Sequence, residues 1–367
     1  MNSTVVEISL PALRHNLRQV ARRVGTVPII AVVKANAYGH GAAPVTRTLL
    51  TAGAQQVGVA TVVEGQELRQ AGITAPILVM GGIFPEDVPL LQELNLIPVL
   101  PSRDAILMAA RLMNARSAPL PVHLKVDTGM SRLGLTRDEF LNLLRSDWPP
   151  TLRLEGLMSH LASADAGDGE SAENQLVRFR ELLDAAKAAG LAVPAAHIAN
   201  SAAILRFPAS YFDRVRPGLM LYGYVNGPTA TAELRPALSW KTRIVQVKRV
   251  GAGQPVSYGG TFVTSRPSTL AILPVGYADG YSRALSNRGR VLVGGKPVPI
   301  VGRICMDLSV VDVSNLSDVH PGAEAVLLGR QGAAVITADD LAAWQNTISY
   351  EVLCQISPRL TRVYLED

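Results

Sequence analysis

Residues 31–41 read AVVKANAYGHG, at the end of a continuous apolar run of Ile29, Ile30, Ala31, Val32 and Val33. Such a run predicts a strand buried on both faces. It stops on one lysine, Lys34, followed by Asn36, Tyr38, Gly39, His40 and Gly41. α/β folds build their sites at the carboxyl ends of buried strands. Desolvation there would disfavour the ammonium and leave more free amine, the form that condenses with aldehydes. A strand-end lysine with its stem on apolar surface and its head in water is the plainer alternative.

Outward from this strand, apolar runs recur near 57–63, 76–81, 96–100, 121–127, 152–158, 194–199 and 214–221. Amphipathic helical stretches lie between most of them, at 42–53, 64–71, 86–94, 103–114, 137–145 and 173–189. In the last, Leu176, Phe179, Leu182, Leu183 and Ala186 share a face, and Gly190 ends it. Strands alternating with helices predict parallel βα units, and this number of them predicts a TIM-like (β/α)8 barrel. A doubly wound open sheet is the alternative. No G-x-G-x-x-G follows the first strand, which counts against a dinucleotide-binding version.

Ahead of the barrel, Val5, Val6, Ile8 and Leu10 suggest a short strand, and Pro11 suits the first turn of a helix. After Leu234-Arg235-Pro236 the texture changes to short β runs: Arg243–Val250, Thr269–Val275, Arg290–Val293, Val298–Val301, Leu308–Val313 and Ala325–Leu328. Glycine and proline clusters separate them. The expected domains are therefore 1–235, the barrel, and 236–367, mostly β, with residues 3–10 free to pair with the second.

The chain has 367 residues, 48% apolar and 18% charged, with a net charge of +5 and two cysteines, Cys305 and Cys354. Its basic residues are dispersed, so a nucleic-acid surface is not indicated, whereas attraction for anionic small molecules is. Two cysteines do not make a disulfide framework, and a reducing compartment fits. No signal-peptide pattern and no membrane-length apolar run occur, so the expected setting is cytoplasmic. No His/Cys cluster has zinc-ligand spacing, so no metal is expected.

Polar residues collect where the barrel strands should end. Strand five runs HLKVDTGMSRLG, with Lys125, Asp127 and Arg132. Strand six ends in Ser159-His160, strand seven in HIANSAA with His197, Asn200 and Ser201, and strand eight in VRPGLMLYG with Arg216 and Gly218. Bland readings exist: Lys125 and Arg132 could pair with Asp127, His160 could be a satisfied core residue, and Asn200-Ser201 a helix cap. A helix start with a serine and free N–H groups is also a phosphate site. Arg216 is harder to dismiss, because a guanidinium in an apolar strand demands partners. In the β domain, Tyr258 lies on a glycine-flanked turn in PVSYGGTF, Tyr277 in LPVGYADGYSR, and Met306 in VGRICMD.

The Lys34 stretch resembles the pyridoxal-phosphate (PLP) lysine motif of the alanine racemase family. The later motifs follow in that family's order over almost the whole chain. The resemblance implies a racemase interconverting L- and D-alanine, for peptidoglycan supply or alanine catabolism. Lys34 would hold PLP covalently. Tyr38, Ser201, Gly218 and Tyr350 would bind its phosphate, and His160 would lie beside its ring. Arg216, oriented by His197, would donate to the pyridine nitrogen; the related barrel decarboxylases carry an acidic residue there. Arg132 would face the cofactor phenolate and the substrate carboxylate. Lys125 matches the lysine that many members carry as N6-carboxylysine, a form able to pair with Arg132.

Two bases would exchange the Cα proton: Lys34 on one face and Tyr258, lent by the other subunit of a head-to-tail homodimer, on the opposite face. Met306 and Tyr277 would crowd the substrate methyl, and Asp165, Arg283, Arg303 and Ile348 would line the entrance. Three other readings are a broad-specificity amino-acid racemase, a non-catalytic PLP-carrying barrel protein and a decarboxylase. The first usually carries an export signal, the second needs no Tyr258, and Arg216 disfavours the third.

Overall fold

The structure, a computed structural model, describes residues 4–114, 118–167, 169–225 and 233–366. The chain divides into two compact units. One comprises Leu13–Ala37 and Ala42–Arg235; the other comprises Met1–Ala12, Tyr38–Gly41 and Pro236–Asp367.

The opening strand, β1 (Val5–Ser9), belongs to the second unit. The next seven build the first: β2 (Ile30–Val32), β3 (Gln56–Val59), β4 (Ile77–Val79), β5 (Leu96–Leu100), β6 (Leu120–Lys125), β7 (Leu152–Met158) and β8 (Ala196–His197). They form one parallel sheet in sequential order. Helices follow them in the expected rhythm, among them Ala42–Thr51, Val62–Gln70, Arg103–Leu112 and Glu170–Ala188. Their starts are set by local chemistry. Thr61 and Glu64 form a capping box, as do Thr136 and Glu139 at Arg137–Leu143. Inside the sheet Ile30, Leu78, Ile97, Val99 and Met158 pack together.

The eighth expected strand is reduced to a single parallel bridge, Val215 to Ile29. The Ile30 N–H donates to the Val215 carbonyl at 2.9 Å and the Val215 N–H to the Pro28 carbonyl at 3.0 Å. On the other side the Arg216 N–H donates to the Ala199 carbonyl at 2.9 Å. These bonds join the last run to both the first and the seventh strands and close the barrel. A longer ladder is stopped by Pro217, which has no N–H, and by the 3-10 turn Leu219–Tyr222.

The second unit is mostly β, as expected. Its further strands are β9 (Leu238–Arg243), β10 (Gln246–Val250), β11 (Pro255–Val256), β12 (Phe262–Val263), β13 (Ser268–Leu273), β14 (Arg290–Val293), β15 (Lys296–Pro299), β16 (Ser309–Asp312), β17 (Glu324–Gln331), β18 (Ala334–Ile336) and β19 (Thr361–Leu365). The main sheet runs β15-β14-β17-β9-β1-β19, with β1 antiparallel to β9 and parallel to β19; a smaller sheet runs β10-β13-β16.

The run expected as one strand over Arg243–Val250 is two, because the chain changes sheets at Ile244-Val245. The Ile244 N–H bonds to Ala323 on one side and the Val245 N–H to Ile272 on the other. Two helices, Ala338–Gln345 and Ser349–Cys354, have no counterpart in the sequence reading. Gly39 shows why glycine stands in Tyr38–Gly41: its φ is +80°, and a Cβ would strike the Leu353 carbonyl.

Candidate active site

Lys34 leaves β2 at the carboxyl mouth of the barrel, and its side chain is exposed. Burial therefore does not desolvate it in the single chain, contrary to the expectation drawn from the strand pattern. The reason is the backbone. Ala35, Asn36, Ala37 and Tyr38 all have φ near +52°, a left-handed turn that breaks the strand and turns the lysine outward. Two side chains hold the turn: Glu64 Oε1 accepts the Ala35 N–H at 2.7 Å, and Asn36 Oδ1 accepts the Ala42 N–H at 2.8 Å.

The buried lysine is Lys125, at the end of β6 and 5% exposed. Its pKa is pulled down to about 8, by burial first and then by Arg216, Arg132 and Lys34. These four cations share the mouth. Asp127 offsets them only in part; its Oδ1 accepts the N–H groups of Gly129 and Met130 at 2.8 and 2.9 Å. Arg132 is exposed. The mouth is thus a cationic centre suited to a multiply charged anion.

Beneath it lies Arg216, 3% exposed. Nη1 donates to His197 Nδ1 at 2.6 Å, and Nη2 donates to the carbonyls of Ser159 and Ile198 at 2.7 and 3.1 Å. A longer contact of 3.4 Å reaches His160 Nδ1. Every partner is neutral. Burial lowers the Arg216 pKa to about 9, so the guanidinium remains charged at neutral pH. His160 is held well below its usual value by burial first, then by Arg216, Lys125, Arg132 and Lys34. Thr128, Ser159 and Gln175 brace this floor: Ser159 Oγ lies 2.8 Å from Thr128 Oγ1, and Gln175 Nε2 donates to the His160 carbonyl at 3.0 Å.

Beside Arg216, Ser201 opens the short helix Ser201–Arg206. Its Oγ accepts the N–H groups of Gly218 and Met220 at 2.9 and 3.2 Å, which fixes the hydroxyl in place. Asn200 takes the capping role, accepting the Ala203 N–H at 3.0 Å. Asp165 is half-buried in the same unit.

In the second unit, the Tyr38 and Tyr350 rings lie 5.9 Å apart. Burial, then Tyr350 and Cys354, pushes the Tyr38 phenol up. Tyr258 sits on a turn between Ser257 (φ 62°) and Gly259 (φ 71°) and is 73% exposed. Ser257 Oγ donates to the Arg303 carbonyl at 2.6 Å. The N–H groups of Tyr277 and Ala278 donate to the carbonyls of Cys305 and Met306, each at 3.0 Å. The loops carrying Tyr258, Tyr277, Arg303 and Met306 are thereby stitched together. Arg359 locks them, bonding Asp279 at 2.7 Å and Asp307 at 2.8 Å. Arg283 and Ile348 are exposed in this unit.

The sequence reading missed His123. Its Nδ1 is 2.7 Å from His197 Nε2, and it is 1% exposed. The signal was available: His123 and Lys125 are two apart on one strand and so share a face. Glu64 was missed too, because its capping role gave no hint of a second bond to Ala35.

Among the described residues, no group of three His, Cys, Asp or Glu side chains could hold a metal ion, and no helix is long and apolar enough to cross a membrane. The family models "Alanine racemase, N-terminal domain" and "Alanine racemase, C-terminal domain" match residues 8–226 and 237–364. The alanine racemase of Carboxydothermus hydrogenoformans is 45% identical over 368 residues, covering 100% of both chains. Among solved structures, alanine racemase from Streptomyces lavendulae aligns with a TM-score of 0.95 at 37% identity, over 100% of this chain and 98% of that one. Alanine racemase from Bartonella henselae, with covalently bound pyridoxal phosphate, aligns with a TM-score of 0.92 at 32% identity over 100% of each. A lysine at the mouth of a closed barrel, an arginine buried beneath it and matches spanning both units lead to one conclusion: the chain is an enzyme belonging to the alanine racemase family.

Proposed function

We propose that this enzyme interconverts L- and D-alanine by a two-base route that uses PLP. The observation that carries the reading is Arg216: a charged guanidinium under the barrel mouth, surrounded by neutral acceptors. The donor set fits the cofactor. The Ser201 hydroxyl, whose oxygen accepts the Gly218 and Met220 N–H groups and whose proton is thereby directed away from them, suits a phosphate, joined in the family resemblance by Gly218, Tyr38 and Tyr350. His160 would lie against the ring. Lys34, exposed at the mouth, is the amine that can reach an aldehyde. PLP, when bound, supplies electron withdrawal that makes the substrate Cα proton removable.

The chain's own residues do the rest. Three Arg216 donors are committed to His197, Ser159 and Ile198, and the others remain to hydrogen-bond the pyridine nitrogen. Because a guanidinium can only donate, it leaves that nitrogen unprotonated; charge then stays nearer Cα, which favours prompt return of the proton over diversion to transamination. Arg132 would receive the substrate carboxylate. Lys125, with its pKa pulled down to about 8, has enough free amine near neutral pH to react with carbon dioxide. The resulting anion would pair with Arg132 and offset the crowd of cations.

Lys34 would take the proton from one face of Cα, and the partner's Tyr258 would serve the other, as a homodimer supplies it. Met306 and Tyr277 would crowd the methyl, and Asp165, Arg283, Arg303 and Ile348 would line the approach. The role would be D-alanine supply to peptidoglycan or alanine catabolism.

Incubation with L-alanine, L-serine and L-lysine, followed by resolution of the enantiomers, tests the substrate. Conversion of alanine alone is expected; equal conversion of all three would replace the reading with a broad-specificity racemase. Borohydride reduction and peptide mapping should place a pyridoxyl group on Lys34, and a label on another residue would refute the cofactor assignment.

A further inference from the structure

His123 and His197 meet inside the barrel with centroids 4.9 Å apart and planes at 60°, edge towards face. The arrangement is built by the backbone. The β6–β7 pairing slips between Val122 and His123, so that Val122 faces Leu154 but His123 faces Gly156. Such an irregularity re-aims a side chain. The residue it brings opposite His123 is a glycine, and no other would fit. A Cβ at Gly156 would stand 2.5 Å from His123 Cε1 and Nδ1, and 2.8 Å from the Ala195 carbonyl. The imidazole occupies the space a side chain would have filled.

The proton positions follow from the contacts. Arg216 can only donate, so His197 Nδ1 must accept. Burial, Arg216, His123 and Arg214 hold His197 well below its usual pKa, so the ring is neutral and its one proton is on Nε2. That proton points at His123 Nδ1, 2.7 Å away. His123 must then accept, and its own proton lies on Nε2. Arg216 and His197 thus donate in the same direction, from the site into the barrel.

We infer that His123 is a positioning residue: by accepting the Nε2–H of His197 it fixes that ring's tautomer and orientation, and so aims Arg216 at the mouth. The inference deepens the racemase reading and rests on it only for the catalytic consequence. Without an acceptor at position 123, His197 can flip its ring or move its proton to Nδ1. A proton on Nδ1 sets two donors against each other at Arg216, and a flipped ring takes the acceptor away. The orienting partners of metal-bound histidines act in the same way.

The decisive measurement needs no variant. Side-chain ¹H–¹⁵N correlation spectra of the full-length, histidine-labelled protein, with and without PLP, should show His197 protonated at Nε2 and bare at Nδ1. A proton on Nδ1 overturns the inference. Two variants give the consequence. In His123→Leu, kcat for alanine should fall ~10-fold in both directions, as for loss of an orienting partner. KM should stay within about two-fold, because no substrate contact is lost, and the absorption band of the bound cofactor should shift. In His123→Gln, whose amide oxygen can accept, most of the loss should be recovered. If Leu and Gln behave alike, His123 only fills space and the inference fails. If the Leu variant does not fold, the wild-type tautomer decides. Absence of racemase activity in a wild-type protein with the expected tautomer would sink the racemase reading and leave the positioning role standing.

Discussion

His123 and His197 make the barrel interior sensitive to acid. Both are buried. Burial first, then Arg214 and Arg216, lowers His123 to about 3. His197 is lowered by burial, Arg216, His123 and Arg214. In the unfolded chain each ring titrates near ~6.5. Between those values the unfolded chain binds more protons than the folded one, so stability rises with pH across that window. The contribution is complete above the unfolded value and is lost as pH falls towards the folded one. Each ring accounts for ~1.4 kcal/mol per pH unit at most. Urea denaturation at pH 7 and pH 5 should give a clearly lower midpoint at pH 5, and His123→Gln should narrow the gap by roughly one ring's share. Equal midpoints in the wild type would mean that these rings are already protonated or exposed. The two histidines also show what a sequence conceals at this scale. His197 was flagged by its strand-end position, whereas His123 lay two residues before a flagged lysine and read as ordinary strand.

The turn after β2 is the element on which Lys34 depends, and its conformation is expensive. A non-glycine residue in the left-handed region costs roughly 1–2 kcal/mol, and Ala35, Asn36, Ala37 and Tyr38 all occupy it. Glu64 offsets part of that cost. Its Oε1 takes the Ala35 N–H at 2.7 Å, while Oε2 takes the N–H groups of Ala60 and Thr61 at 2.7 and 3.3 Å. One carboxylate thus ties the start of the helix Val62–Gln70 to the lysine turn. Glu64→Ala should cost ~1–2 kcal/mol, as for loss of a cap, and should also slow PLP uptake by the apoenzyme. Loss of stability with unchanged uptake would confine Glu64 to helix capping. The alternation of strands and helices was legible because apolar periodicity reports burial directly. This turn was not, because Ala-Asn-Ala-Tyr contains none of the glycines that mark left-handed backbone. The helix Ala338–Gln345 could have been found from its capping box, Thr337 with Asp340. Cys354 ends a helix too short to show a period.

At the scale of the whole molecule, the question is what a phenol such as Tyr258 does when it is 73% exposed in the single chain. A base in open water has no fixed geometry towards Cα, and general acid–base catalysis depends on that geometry. Yet its turn is held in place: Ser257 has a positive φ, Ser257 Oγ is bonded to the Arg303 carbonyl, and Arg359 clamps the neighbouring loop through Asp279 and Asp307. Met306 and Tyr277, 54% and 44% exposed, stand on the loops joined to it. A held, solvent-facing cluster that carries a phenol fits the proposed role as one half of a site completed by a second copy. The proposed homodimer predicts complementation. Lys34→Ala and Tyr258→Phe should each be nearly inactive alone, Tyr258→Phe by about 10²-fold or more in deprotonating L-alanine. Denatured together and refolded as an equal mixture, half of the dimers would be mixed. Each of those would pair an intact Lys34 with the partner's Tyr258 at one of its two sites. About a quarter of wild-type activity should therefore return, because a C2 dimer holds two equivalent sites. If the mixture is no more active than its components, both residues of a site come from one chain and the shared-site model is wrong.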